Sequence, residues 1–331
     1  MKKSLVAFVA ALGACCLAVQ GAEAKTLEEI LKEKGVITEA DYQEVVKSSP
    51  KIDYKLGKGF TFTSADEKFQ LSFGGRMQYR YTFMDNDEAS DYSNFEAKRI
   101  RLIAQGYAFT KDFSYKMEID PVQLAKSDGR GGLLDCFVNY KLMNELQFLV
   151  GQTKVKYGYT LIQADSQLMF VDRVPFWSKL IPSYEIGAFV YGSAFKDFVS
   201  YYTSVTNGDG QTNAGSTNHN AFAARVMLSP LGKMSTQEAD LDISKKPLFT
   251  IGANYFYNNL NAGESSSSYG TVWNNYKDLH NFGFDAHFKW MGAAIQGEAL
   301  FSQGDNKTTD VTKRAMGWYA MAIVDVLDYL P

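Results

Sequence analysis

The chain has 331 residues, 21% of them charged, with a net charge of -3 and only seven prolines. That balance excludes a disordered chain, and the absence of any basic run excludes nucleic-acid binding. The length suits two soluble domains or one large β architecture.

Lys2 and Lys3 precede an apolar run from Leu5 to Val19, and Ala22-Glu23-Ala24 supplies an A-x-A cleavage site. Residues 1–24 therefore read as a secretory signal peptide, with an apolar run too short for a membrane anchor. Lipoprotein processing at Cys15 competes with this reading, but the apolar run continues past the cysteines. After cleavage only Cys136 remains, so neither an intrachain disulfide nor a thiolate metal site is expected.

Residues 25–58 read as a short helical periplasmic segment. Thr26 with Glu29 and Thr38 with Asp41 resemble capping boxes, and Gly35 is a stop between two apolar stripes. Two roles stand open for it: an oligomerisation or peptidoglycan-proximal element, or a solvated leader.

From residue 59 to 331 the periodicity changes to two. In "GGRMQYRYTF" (residues 74–83), Arg76, Gln78, Arg80 and Thr82 fall on one side of a strand. Met77, Tyr79, Tyr81 and Phe83 fall on the other. Phe113, Tyr115, Met117 and Ile119 oppose Ser114, Lys116, Glu118 and Asp120. Leu134, Cys136, Val138, Tyr140 and Leu142 oppose Asp135, Asn139 and Lys141, with Phe137 breaking the alternation. Segments of roughly ten alternating residues suit transmembrane β-strands.

The connections alternate in length. Short turns fall at 110–112, 143–145, 196–197 and 291–292. Long polar loops fall at about 85–94, 121–132, 158–186, 207–220, 258–279 and 303–314. Ser229 to Pro247 departs by being long on the short-turn side. Short turns at one end and long loops at the other describe an outer-membrane barrel, whose apolar rows face lipid and whose polar rows face water. About twelve strands are visible between Phe69 and Asp328. The fold class expected is all-β, a transmembrane antiparallel β-barrel after a short helical segment. The final Tyr329-Leu330-Pro331 reads as a turn into a further hairpin.

By parity the inward cations are Arg76, Arg80, Arg99, Arg101, Lys116, Lys141, Lys154, Lys156, Arg225 and Lys289. The inward acids are Glu118, Asp120, Asp135, Asp285 and Glu298. Such an excess favours anions in a narrow channel, and the planar guanidinium fork suits phosphate. The opposing reading is that each cation pairs with an acid across the lumen and stiffens the wall. Residues 158–186 are too apolar for a free surface loop. Folded inward they would bring Arg173 and Lys179 to a constriction; the other reading is contact with a neighbouring subunit.

The segments "FGGRMQYRY", "NFEAKRIRLIAQGYAFTKDFSYKMEIDP" and "LVGQTKVKYG", with the looser "GWYAMAIVDVLDYLP", resemble the phosphate-selective porin O and P family. That resemblance implies a sixteen-stranded trimeric barrel, so about four C-terminal strands would be missing and the chain would be truncated. By the resemblance Arg76 matches the family's G-R-x-Q arginine, and Arg99 and Arg101 its R-x-R. Asp120 matches the aspartate ending the next strand, Lys154 the G-Q-x-K lysine, and Arg130 a looser loop position. Several loop positions carry Asn, Ser and Gln, which implies general anion passage rather than phosphate specificity.

The function expected is an outer-membrane porin of a Gram-negative bacterium, exported by the Sec route, for small anions and possibly phosphate. Its partners are small anionic solutes, the lipid bilayer and, by resemblance, two further copies of itself. The alternative is a barrel that sheathes a partner such as an electron-transfer protein. No enzyme or cofactor is expected: there is no G-x-S-x-G elbow, and Gly208-Asp209-Gly210 lacks the lysine of a phosphate loop.

Overall fold

The computed structural model describes residues 27–56, 59–86, 90–125, 130–175, 177–180, 182–212, 219–259, 273 and 276–325. The expected signal peptide, the C-terminal turn and parts of the long loops lie outside them. Two compact units are present, the first covering the helical segment and the second most of the chain from Ile52 onward.

In the helical unit, α1 (Leu27–Glu33) and α2 (Glu39–Ser48) are separated by Gly35 at φ +68. Thr38 caps α2 in a full capping box. Its hydroxyl accepts from the Asp41 amide, and the Asp41 carboxylate accepts from the Thr38 amide at 2.9 Å. The sequence-derived cap at Thr38 is thus present, and Thr26 lies outside the described residues.

The second unit is one antiparallel sheet of 14 strands paired strictly in chain order. Its strands are β1 (Lys51–Lys55), β2 (Gly59–Thr63), β3 (Phe69–Met84), β4 (Tyr92–Ala108), β5 (Thr110–Ile119), β6 (Leu133–Met143) and β7 (Leu146–Lys154). There follow β8 (Tyr184–Ala194), β9 (Val199–Thr206), β10 (Ala221–Leu228), β11 (Leu248–Asn258), β12 (Tyr276–Trp290), β13 (Ala293–Asn306) and β14 (Thr312–Val324). Twelve of these lie beyond Phe69, matching the alternation counted in the sequence, and two short strands precede them. Among the described residues no pairing joins β14 back to β1 or β2.

Meander order follows from short turns. Met291 and Gly292 both take positive φ, 50 and 79, the backbone of a two-residue turn whose twist matches its flanking strands.

Side-chain parity sets the two faces. Met77, Tyr79, Tyr81 and Phe83 are 55–69% exposed, and Ile295, Met316 and Trp318 on β13 and β14 are 56–66% exposed. An apolar area so continuous is a surface for hydrocarbon, not water. Cys136 is exposed on this same face. No described helix is long and apolar enough to cross a membrane. We expect Met77→Arg, a charge placed mid-strand on this face, to cost about 2–4 kcal/mol in lipid. Urea unfolding in vesicles measures it, with Met77→Leu as the control that leaves stability unchanged.

The sheet curls round on itself. Arg76 on β3 donates to Ser166 at 3.2 Å, and the Thr160 hydroxyl donates to Glu298 on β13 at 2.7 Å. In a flat sheet strands ten positions apart lie about 48 Å apart, whereas six residues of chain span at most about 21 Å. Both walls reach the same short stretch only if the polar face is concave.

Candidate functional site

The site grows from the pairing of β3 with β4. Arg76 stands opposite Arg101, Gln78 opposite Arg99 and Arg80 opposite Glu96. Like charges directly opposed are unfavourable unless acids intervene. Here they do. Arg101 ion-pairs with Asp120 and lies 3.6 Å from Glu118, while Arg80 pairs with Glu96 and, at 2.7 Å, with Asp172. Asp120 also caps the one-turn helix Pro121–Leu124, accepting from the Val122 and Gln123 amides at 3.0 and 3.1 Å. Lys116 on β5 lies 2.8 Å from Glu118 and 2.6 Å from Asp135.

A β-bulge falls where the register shifts between Gln78 and Tyr79, leaving Lys98 as the extra residue. Adjacent Lys98 and Arg99 therefore both reach inward, to Asp172 at 2.8 and 3.7 Å. Strict alternation places Lys98 outside, so parity alone misses it.

The connection between β7 and β8 folds across the concave face. Its centre is Asp165, in the one-turn 3-10 segment Asp165–Gln167. Four arginines converge on this carboxylate: Arg173 at 2.8 Å, Arg101 at 3.3 Å, Arg99 at 3.5 Å and Arg76 at 3.7 Å. Burial alone raises the Asp165 pKa, but Lys154, Arg173, Arg99 and Arg101 outweigh it and hold the carboxyl well below its ordinary value. At the loop's other end, Glu298 accepts from the Tyr159 amide at 2.6 Å and the Thr160 amide at 3.4 Å. The Tyr159 ring stacks on His287 of β12, centroids 3.4 Å apart. Beneath it, Val155, Tyr157, Leu161 and Leu180 pack on Ala221, Ala223, Phe256, Leu279 and Leu300 of the inner wall.

The long turn between β10 and β11 comes from the opposite end of the sheet and meets this loop. The Glu238 amide donates to the Gln167 carbonyl at 3.2 Å, and its carboxylate accepts from the Met169 amide at 2.5 Å. Lys289 anchors the turn through the carbonyls of Ser235, Gln237 and Ala239 at 2.7–3.2 Å.

The lumen is therefore unequal. Arg76, Arg80 and Lys116 keep 26–32% of their side chains exposed, whereas Arg225 and Asp285 keep none and pair at 2.8 Å. Arg225 and Lys289 lie on the inner face as parity expects, but beneath the loop and turn. A Cβ at Gly252 would stand 2.6 Å from the Arg225 guanidinium and 2.7 Å from the Asp285 carboxylate, so that pair would have to shift.

Between the loop and the basic wall lies a cavity of ≈ 510 Å³ lined by Lys98, Arg99, Arg101, Lys154 and Arg173 against Asp120, Asp165 and Asp172. The structure thus brings together Arg76, Arg80, Arg99, Arg101, Lys116, Asp120, Lys154 and Arg173. Arg173 acts within the loop itself, donating to the carbonyls of Thr160 and Gln163. Lys154 donates to the carbonyls of Leu161 and Gln163 at 3.3 and 3.4 Å. Lys156 lines a separate cavity, the Lys179 side chain is exposed, and that of Arg130 lies outside the described residues. Asp165, Asp172 and Lys98 were not singled out by the sequence reading.

An antiparallel membrane sheet with a lipid-facing apolar surface, and a loop folded inward over a basic wall, defines an outer-membrane porin. The chain belongs to the phosphate-selective porin O and P family, whose model matches residues 71–322. No curated protein gives a match. Membership makes this a channel protein of the Gram-negative outer membrane rather than an enzyme.

Proposed function

We propose that the protein lets small anions diffuse passively along the basic wall of β3, β4, β5 and β7, with phosphate among them. The observation supporting this is the eyelet beneath the loop, where five cationic side chains face three carboxylates. Because nearly every guanidinium already has an acid or carbonyl partner, a passing anion exchanges contacts rather than settling into a bare trap. Permeation needs such weak, repeated contacts. Bidentate arginine geometry adds a preference for oxyanions over halide. A Sec-type leader for export and a trimeric assembly complete the reading, both resting on sequence and family likeness.

The test is the Arg99→Ala, Arg101→Ala double variant in planar bilayers. Its anion-to-cation permeability ratio falls, because Asp120 loses Arg101 and Asp165 keeps only Arg76 and Arg173 of its four arginines. In the unaltered protein, millimolar phosphate reduces the chloride current. Cation selectivity in the unaltered protein, or a ratio indifferent to both arginines, overturns the proposal.

A further inference from the structure

Inward-facing rows of a water-filled barrel are expected to be polar. On β6 to β9 large apolar rings interrupt them. Phe137, Leu149, Phe189, Tyr191 and Tyr202 line one cavity of ≈ 270 Å³ together with Lys116, Lys156, Asp135 and Thr153. The register makes this a built feature. Leu149 pairs with Phe189, Phe189 with Ser204, and Tyr191 with Tyr202. The two tyrosine rings stack 5.6 Å apart at 13°, and the Tyr191 hydroxyl is fixed by Asn139 at 2.9 Å. Phe137, which breaks the alternation of its strand, is part of this wall. The cavity sits toward the short-turn end relative to the arginines, so a solute leaving the eyelet meets it next.

Its charged end holds one unpaired lysine among the described residues, Lys156, beside the paired Lys116. Lys116 and Asp135 satisfy each other, and Thr153 donates to Asp135 at 2.9 Å. Lys156 has no hydrogen-bond or ion-pair partner among the described residues, and burial holds its ammonium below its ordinary pKa. Lys116 is already held by Asp135 and by Glu118, so Lys156 is the ammonium left for an added negative charge. The remaining walls are four aromatic rings with Leu149, Ala223, Thr203 and Ser204 between them. A cavity of about 150 Å³ holds benzene, so this one has space for a single ring with a charged substituent and water.

We propose that this cavity is a second solute subsite, selective for a single-ring aromatic carboxylate, its carboxylate on Lys156 and its ring against Tyr191, Tyr202 and Phe189. The proposal rests on the porin reading but concerns a site distinct from the arginine eyelet. It widens the permeating solutes from inorganic anions to organic ones with a planar apolar body.

The experiment uses the full chain in planar bilayers, with benzoate and acetate added to a chloride current. Benzoate interrupts the current at a concentration roughly tenfold below that required of acetate, the margin expected of a ring buried against aromatic walls. Tyr202→Ala lowers the margin roughly three- to tenfold, and Lys156→Gln weakens block by both anions. A heat-modifiable band on gels verifies that each variant is folded. Equal block by benzoate and acetate, or a margin untouched by Tyr202→Ala, overturns the proposal while leaving the eyelet reading intact. If the current is cation-selective, that reading fails by itself. Calorimetric titration of benzoate into the detergent-solubilised protein then decides this site, with binding lost in Tyr202→Ala as support and no binding as refutation.

Discussion

Asp165→Asn raises the anion-to-cation permeability ratio roughly three- to tenfold. One negative charge about 5 Å from a passing ion changes its energy by about 0.8 kcal/mol even at the dielectric of water, in opposite directions for the two signs of ion, and salt trims the difference. The carboxylate is the shared counter-ion of Arg76, Arg99, Arg101 and Arg173, so its neutralisation exposes their charge to solutes at once. The loop also loosens, and the open-channel current becomes noisier. The pH dependence has a definite sign. A carboxyl whose folded pKa is depressed contributes its stability above the unfolded value and loses it only as pH falls through the folded one. Selectivity of the unaltered protein therefore stays flat from neutrality down through about pH 4, the ordinary carboxylate range, and shifts toward that of the variant only below it. A ratio that climbs already near pH 6, or a variant with unaltered selectivity, contradicts the assignment.

Replacing residues 159–180 by a short Gly-Ser linker raises single-channel conductance severalfold and weakens selectivity. That segment separates the basic wall from Glu298, Gln296 and His287, so its removal opens the fully covered half of the lumen to water. Glu298→Ala is the milder form. It strips the acceptor from two backbone amides and the Thr160 hydroxyl, and rapid closures result rather than a uniformly wider pore. Conductance unchanged by the excision means that the bore is set elsewhere.

The alternation of side chains made the wall legible. The lipid row of β3, the inward arginines and the strands beyond Phe69 all follow from period two. The inward fold of residues 158–186 does not: the sequence leaves it open beside contact with a neighbouring subunit, and in the structure Leu161 and Leu180 are buried while Met169 and Phe170 stay 51% and 69% exposed. Parity reports a face, not what covers it. Arg225 and Lys289 are inward like Arg76, yet the loop and the turn after β10 bury them. The bulge at Lys98 is in fact written in the sequence: apolar Phe95 and Ala97 are odd-numbered, while Ile100 and Leu102 are even-numbered. One residue must therefore be inserted between them. Asp165 carries no such mark. A loop residue has no period, and its role comes from four partners contributed by β3, β4 and its own loop. Of the two readings of the cations, the pairing across the lumen is visible in the structure, and their service to anions is the proposal. The pairs are real, and the cationic side still exceeds the acidic one.

The link between Tyr159 and Glu298 spans 139 positions of chain. Contacts so remote close late, because the intervening loop must first lose its freedom. A nascent sheet lacking β13 has its arginines and their Asp165 contacts in place but lacks the Glu298 clamp at the start of the loop.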